Sequence, residues 1–284
     1  MQTGRASRTA LGVAARRAAH QLLDHPPVLA DPIAVPILGK DFAIDHKRQQ
    51  HPAARTFRAF LAVRSRYVED NLAAAVAAGI AQYVVLGAGL DTFAYRNPFP
   101  NIRVFEVDFP ATQEWKRSLL KDAGIAEPAN LTFVPLDFEH KTLSAGLAEA
   151  GFDATKPAFF GWLGVVPYLT LPAFRSTIDA IASLPVGSGV SFDYALSDEE
   201  LSLARQRARQ ALADRVAMAG EPFRLFFQSE QLENELKSAG FQRIEQSDSV
   251  ELNERYFTHR ADGLALPEEG LGKLATAWVG AGFA

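Results

Sequence analysis

Gln82-Tyr83-Val84-Val85-Leu86-Gly87-Ala88-Gly89-Leu90-Asp91-Thr92 is the stretch whose reading decides the fold. A short aromatic and β-branched run enters a glycine pair, the pattern of a buried strand that ends in a tight turn. Glycine permits a positive φ there and leaves no Cβ between the backbone and a ligand. Downstream, strand-like runs recur at 102–107, 131–135, 158–162, 189–194, 241–246 and 274–279, and helix-length segments at 111–123, 141–150, 172–183 and 229–239 separate most of them. Strands alternating with helices predict a mainly parallel seven-stranded α/β sheet with helices on both faces.

Upstream of the turn, residues 57–78 read as a helix with Val68, Leu72 and Val76 on one face, and Gly79 is placed as its left-handed cap. Residues 7–23 read as an amphipathic helix. Its apolar face is Leu11, Ala14, Ala15, Ala18 and Leu22, with Arg16, Arg17 and His20 mostly elsewhere, and His25-Pro26-Pro27 stops it. A Pro-punctuated apolar stretch, 28–38, and a polar run, 41–55, follow. The expected organisation is one domain over 1–284. Residues 1–55 form an N-terminal helical lid and 56–284 the core, with a charged helix at 197–219 inserted after the fifth strand.

The chain is long enough for one large core: 284 residues, 48% hydrophobic, net charge −4. These values exclude a disordered chain. The absence of cysteine excludes disulfides, thiolate metal sites and a cysteine nucleophile, and it fits a reducing, cytoplasmic setting. The balance of 29 basic against 33 acidic residues argues against capture of nucleic acid, and no apolar run predicts a membrane span. Arg5, Arg8, Arg16 and Arg17 precede any acid, a bias shared with transit peptides but equally accounted for by the amphipathic helix.

In an open α/β sheet, ligands bind beyond the carboxyl ends of the strands. Asp108 ends the second strand 21 residues after Gly87, close to the ~20-residue offset at which an acid meets a ribose diol; Glu106 is the fallback on the same strand face. Asp137 ends the third strand, suited to accept from an adenine amino group, with Phe138 against the ring; Asp137 also reads as a helix cap. A dinucleotide fingerprint needs a third glycine where this chain has Thr92, and the preceding Asp91 repels a pyrophosphate. The site therefore favours a cationic, phosphate-free nucleoside, S-adenosylmethionine, over NAD.

His46 and His51 with Asp41 and Asp45 match no metal-ligand spacing and read as a solvated loop, so no metal is expected. There is no nucleophile elbow and no Walker loop. Four possible bases, His140, His259, Tyr168 and Tyr194, read more simply as packing or surface residues, so the catalytic residues stay unassigned.

Arg64-Ser65-Arg66-Tyr67-Val68-Glu69-Asp70, Val85 through Arg96, and Phe105-Glu106-Val107-Asp108-Phe109-Pro110 together resemble the leucine carboxyl methyltransferase family, and in particular its bacterial branch of S-adenosylmethionine-dependent methyltransferases. The similarity extends through Trp162 to Thr170 and Phe192-Asp193-Tyr194. It implies a class I methyltransferase, Rossmann-like fold whose last strand is antiparallel, with S-adenosyl-L-methionine as methyl donor. It also implies cofactor contacts from Gly87, Asp108, Asp137 and Phe138, with Gly89 in the same turn. An arginine before the first strand would meet the cofactor carboxylate, Arg64 in preference to Arg66.

The sequence departs from the eukaryotic members at Leu163, where they carry a glutamate that contacts the cofactor; backbone carbonyls near Gly87 or Gly164 would then hold the ammonium. The departure weakens any transfer of the leucine carboxyl substrate. The expected reaction is O-methylation of a small-molecule carboxylate or hydroxyl. An NAD(P)-dependent oxidoreductase, or a catalytically idle nucleoside-binding regulator, is the alternative.

Overall fold

The computed structural model describes residues 8–40, 42–137, 140–218 and 220–281. Among them, the strands are β1 (Gln82–Leu86), β2 (Arg103–Asp108), β3 (Leu131–Pro135), β4 (Phe159–Trp162), β5 (Gly189–Ala195), β6 (Phe241–Ser247) and β7 (Gly272–Val279). They form one sheet in the order β3-β2-β1-β4-β5-β7-β6. The first five strands are parallel, and β7 runs antiparallel between β5 and β6. The order reverses between β1 and β4, so the carboxyl ends of those strands flank the switch point, the place where ligands bind in open sheets of this kind.

The helices are α1 (Arg8–Leu23), α2 (His46–Gln50), α3 (Pro52–Ala77), α4 (Phe93–Arg96), α5 (Pro110–Asp122), α6 (Leu143–Glu149), α7 (Leu171–Ala182), α8 (Leu203–Met218), α9 (Ser229–Ala239) and α10 (Ser249–Tyr256). One sheet face buries Val84, Phe105, Phe160 and Phe192 against α6, α7 and α9. The opposite face buries Tyr83, Val85, Val104 and Phe159 against α3. Alternation along β2 follows from strand geometry: Phe105 and Val107 go to the first face, while Glu106 and Asp108 go to the second.

Several local expectations change. The polar run forms α2, and α3 begins at Pro52 rather than near residue 57, because Asp45 accepts the Arg48 N–H and His51 accepts the Ala53 N–H. These capping bonds account for two residues of the metal-like cluster; Asp41 lies outside the described residues. α4 and α10 were not foreseen. α8 spans most of the expected insertion and buries none of its residues, and Ala219 lies outside the described residues.

The face of α1 needs correction. Ala14 and Ala18 are buried as expected, yet Leu11 and Leu22 are exposed, while Arg17 and His20 are buried. The cause is a polar network. His20 Nδ1 lies 2.8 Å from Asp24 Oδ2, its Nε2 accepts the Val28 N–H, and Arg58 donates twice to Asp24 at 2.7 and 2.8 Å. Arg17 pairs with Asp31 and Thr92. Ala34, Ile37 and Leu38 of the Pro-rich stretch complete a small core with Leu90 and Leu120.

Burial disfavours an ionised Asp24, but the hydrogen bonds from Arg58 and His20 outweigh it and hold the carboxyl well below the usual range. Removing one partner of a buried pair costs about 3–5 kcal/mol. Arg58→Met is therefore expected to lower Tm by roughly 6–20 °C. A depressed carboxylate stabilises above its unfolded pKa near 4 and loses that contribution as pH falls. The gap between wild type and variant should thus narrow from pH 5 toward pH 2. Equal melting temperatures at pH 7 would show that the pair contributes nothing.

Candidate functional site

At the end of β1 the chain turns at Gly87 and Gly89 with φ of +64° and +48°. Both N–H groups of Gly87 and Ala88 donate to Val107 O, which stitches the turn to β2. A Cβ on Gly87 would overlap Val165 Cγ2, and one on Gly89 would lie 3.3 Å from Ala10 Cβ. Glycine is required by conformation at both positions and by space at the first.

Asp108 closes the turn from the neighbouring strand. Its Oδ2 accepts the Gly89 N–H at 2.5 Å and its Oδ1 accepts the Phe109 N–H at 2.6 Å. Burial pushes the carboxyl above its ordinary value, and the two amide donors pull against it. A carboxylate has about four lone-pair sites, so two N–H groups leave acceptor capacity for a diol. The fallback residue Glu106 is engaged elsewhere: it is buried with Lys116 Nζ 2.5 Å away, and burial pushes it up to about 7 despite that lysine.

Asp137 follows the tip of β3, which is tied to β2 by the Leu136 N–H donating to Asp108 O at 2.9 Å. Its carboxylate is partly exposed, 3.0 Å from His140 Nδ1. It does not cap α6; Thr142 does, accepting the Ala145 N–H. Phe138 lies outside the described residues.

The two arginines separate cleanly. Arg66 is half-exposed and pairs along the helix with Asp70. Arg64 is buried against the tips of β4 and β5, where its Nη1 donates to Asp193 at 3.0 Å and the guanidinium lies beside Gly164. Asp193 also accepts the Gly164 N–H at 2.5 Å. Sequence reasoning gave Asp193 no role. The available signal was an acid inside the apolar run of β5, since a buried carboxylate must find donors. Asp31 was missed for a similar reason: it receives Arg17 and Thr92 and so draws residues 28–38 onto the loop after β1.

Asp91 occupies the place a pyrophosphate would need. Its Oδ1 accepts the Phe93 N–H at 2.7 Å at the start of α4, and Arg17 lies 3.5 Å from its other oxygen. Of the four possible bases, Tyr168 stands after β4 in this region, and burial followed by the charge of Glu221 pushes its phenol up to about 12. That group stays protonated at neutral pH and does not act as a base. Tyr194 is buried on the α9 side with its hydroxyl on Gln246, and His140 and His259 are exposed.

The donor set is two carboxylates at adjacent strand tips, a guanidinium with unused N–H groups, and a glycine turn whose following helix start is taken by an acid. It fits a nucleoside bearing an amino acid rather than a dinucleotide. Fold and site together define the class, an S-adenosyl-L-methionine-dependent methyltransferase of the class I fold. The sequence profile of the leucine carboxyl methyltransferase family matches residues 10–182. A Bacillus subtilis (strain 168) protein named "Putative S-adenosyl-L-methionine-dependent methyltransferase YktD" is 33% identical, covering 93% of this chain and 96% of its own. A Mycobacterium marinum (strain ATCC BAA-535 / M) protein of the same general name is 36% identical, covering 71% of this chain and 69% of its own. The chain belongs to the leucine carboxyl methyltransferase family.

Solved structures agree on the fold. A Thermobifida fusca YX protein titled a putative methyltransferase aligns with a TM-score of 0.57 at 16% identity, covering 98% of this chain and 96% of its own. A Streptomyces avermitilis protein of the duf574 family aligns with a TM-score of 0.55 at 21% identity, covering 86% and 94%.

The turn yields a direct test. A non-glycine residue at φ +64° costs about 1–2 kcal/mol, and the Val165 overlap adds to it. Gly87→Ala is expected to weaken S-adenosylhomocysteine binding at least tenfold by calorimetry, with only partial recovery in the Gly87→Ala/Val165→Ala double variant. Wild-type affinity in the single variant would remove Gly87 from the site.

Proposed function

We propose that this chain methylates an oxygen of a small-molecule carboxylate or hydroxyl, with Gly87, Gly89, Asp108, Asp137 and Arg64 holding S-adenosylmethionine. The observation that carries the reading is the turn at Gly87 and Gly89 clasped by Asp108, with Asp91 occupying the helix start beside it. In this reading Asp108 accepts from the ribose diol, Asp137 accepts from the adenine amino group, and the remaining donors of Arg64 meet the amino-acid carboxylate. Phe138 is placed against the adenine ring on sequence grounds. Backbone carbonyls around Gly87 and Gly164 take the ammonium, since Leu163 carries no charge.

When bound, the sulfonium supplies a methyl carbon that bonds to an acceptor oxygen as the C–S bond breaks toward sulfur, and a hydroxyl acceptor's proton passes to water. The chain's own contribution is alignment and exclusion of water. A carboxylate acceptor needs no base, and a protonated Tyr168 orients an acceptor oxygen by donating to it.

Residues 1–55, helped by the insertion at 197–219, act as the lid in this proposal. Ala10 covers Gly89, and Thr9 bonds to Glu221 just beyond α8. Asp108 is only 8% exposed, so a ribose reaches it only if its surroundings shift. The setting we assign is cytoplasmic, consistent with the lack of cysteine; among the described residues no helix is long and apolar enough to cross a membrane.

S-adenosylhomocysteine at one hundred times its dissociation constant should stabilise the protein by about 2.7 kcal/mol and raise Tm, while NAD at equal concentration should not. A shift with NAD alone would favour the oxidoreductase reading, and no shift with either ligand would refute nucleoside binding. Hydrogen exchange of α1 and α8 should slow when S-adenosylhomocysteine binds; protection confined to residues 87–91 and 108 would refute the lid.

A further inference from the structure

Residues 90–92 join the glycine turn to α4, and one side chain of α1 meets all three of them. Arg17 Nη2 donates to the Thr92 hydroxyl and pairs with Asp31, while its Nη1 stands 3.5 Å from Leu90 O and 3.5 Å from Asp91 Oδ2. The guanidinium is 6% exposed and the Asp31 carboxylate is fully buried. The Thr92 hydroxyl extends the contact, donating to Asp31 at 2.7 Å and receiving Arg96 Nε at 3.3 Å. Arg96 in turn ties the far end of the loop to Glu69 of α3.

The turn needs such contacts because its glycines do not hold it. Gly87 and Gly89 sit at positive φ, and a glycine there moves readily to other conformations, so neighbours must impose the geometry. Asp108 imposes it from β2, through the Gly89 N–H at 2.5 Å. From the other side, one face of α1 is fitted along the loop. Ala10 Cβ lies 3.3 Å from the place a Gly89 Cβ would take, Ala14 shares a small core with Leu90, and Arg17 takes Leu90 O, Asp91 and Thr92. Ala10, Ala14 and Arg17 are spaced over about two helical turns and so share that face.

We propose that Arg17 is a positioning residue for the cofactor: it fixes residues 90–92 from outside the sheet and thereby keeps the Gly89 N–H on Asp108, which makes α1 part of the cofactor site. This assignment rests on the methyltransferase reading above. Arg17 acts through the turn and touches neither donor nor acceptor. The guanidinium shape matters as well as its charge. One nitrogen serves Thr92 and Asp31 while the other faces Leu90 O, a fork that the single ammonium of lysine does not reproduce.

The test is calorimetric titration of S-adenosylhomocysteine into the full-length protein and its variants, each well below its own Tm. If the wild type does not bind, the methyltransferase reading falls and this proposal with it. If it binds, Arg17→Gln is expected to bind about tenfold or more weakly. Arg17→Lys keeps a cation beside Asp31, so it should recover Tm yet remain at least about threefold weaker than wild type. Leu236→Ala opens a cavity in the core on the opposite sheet face. It should lose stability and still bind within about twofold of wild type. In amide spectra of the ligand-free protein, the Gly89 resonance should shift and its proton exchange faster in Arg17→Gln, with Phe109 unchanged. Should Arg17→Gln fail to fold, Thr92→Val removes the hydroxyl that Arg17 holds and should weaken binding about threefold or more. Near-wild-type affinity in the folded variant read, an unmoved Gly89 amide, full recovery by lysine, or an equal loss in Leu236→Ala overturns the proposal and leaves the methyltransferase reading standing.

Discussion

At the tip of β2 a carboxylate is taken out of water and held by two backbone N–H groups, those of Gly89 and Phe109. A buried charge is tolerated only when it is hydrogen-bonded, so Asp108 and the glycine turn fix each other. The turn cannot relax without stranding the carboxylate, and the carboxylate cannot rotate away without orphaning the Gly89 amide. Around this clasp the other strand tips are held by similar bonds, Leu136 to Asp108 O and Gly164 to Asp193. The result ties the tips of β1 to β5 to one another.

The same requirement explains how the N-terminal segment is attached. Arg17 is buried and serves Asp31, Thr92 and Leu90 O together, which ties α1 and residues 28–38 to the loop after β1. Thr92 stands where a dinucleotide fold has a glycine, and it fills that place with a hydrogen bond to Asp31 at 2.7 Å. The loop after β1 is thus the loop on which α1 and residues 28–38 are anchored.

The sheet was legible from the residues because its strands are buried on both faces and read as apolar runs between glycines and prolines. The seven expected runs coincide with the seven strands to within two residues. The resemblance to the leucine carboxyl methyltransferase family supplied the antiparallel last strand. The glycine turn after β1 and the acid at the end of β2 were legible from spacing, but the clasp between them was not. The face of α1 was not, since a helical pattern assigns arginine and histidine to water, and only contacts with Asp24, Asp31 and Arg58 reverse that. Asp193 was hidden for the same reason, its partner Arg64 lying 129 residues away. α8 was visible as a charged helix, but periodicity could not show that it buries nothing.

The most direct measurement is a crystal structure of the protein with S-adenosylhomocysteine. Both ribose hydroxyls are expected within hydrogen-bond distance of the Asp108 carboxylate, with the amino-acid carboxylate on Arg64. A nucleoside bound away from the β1 and β2 tips, with Asp108 still held only by Gly89 and Phe109, would contradict it.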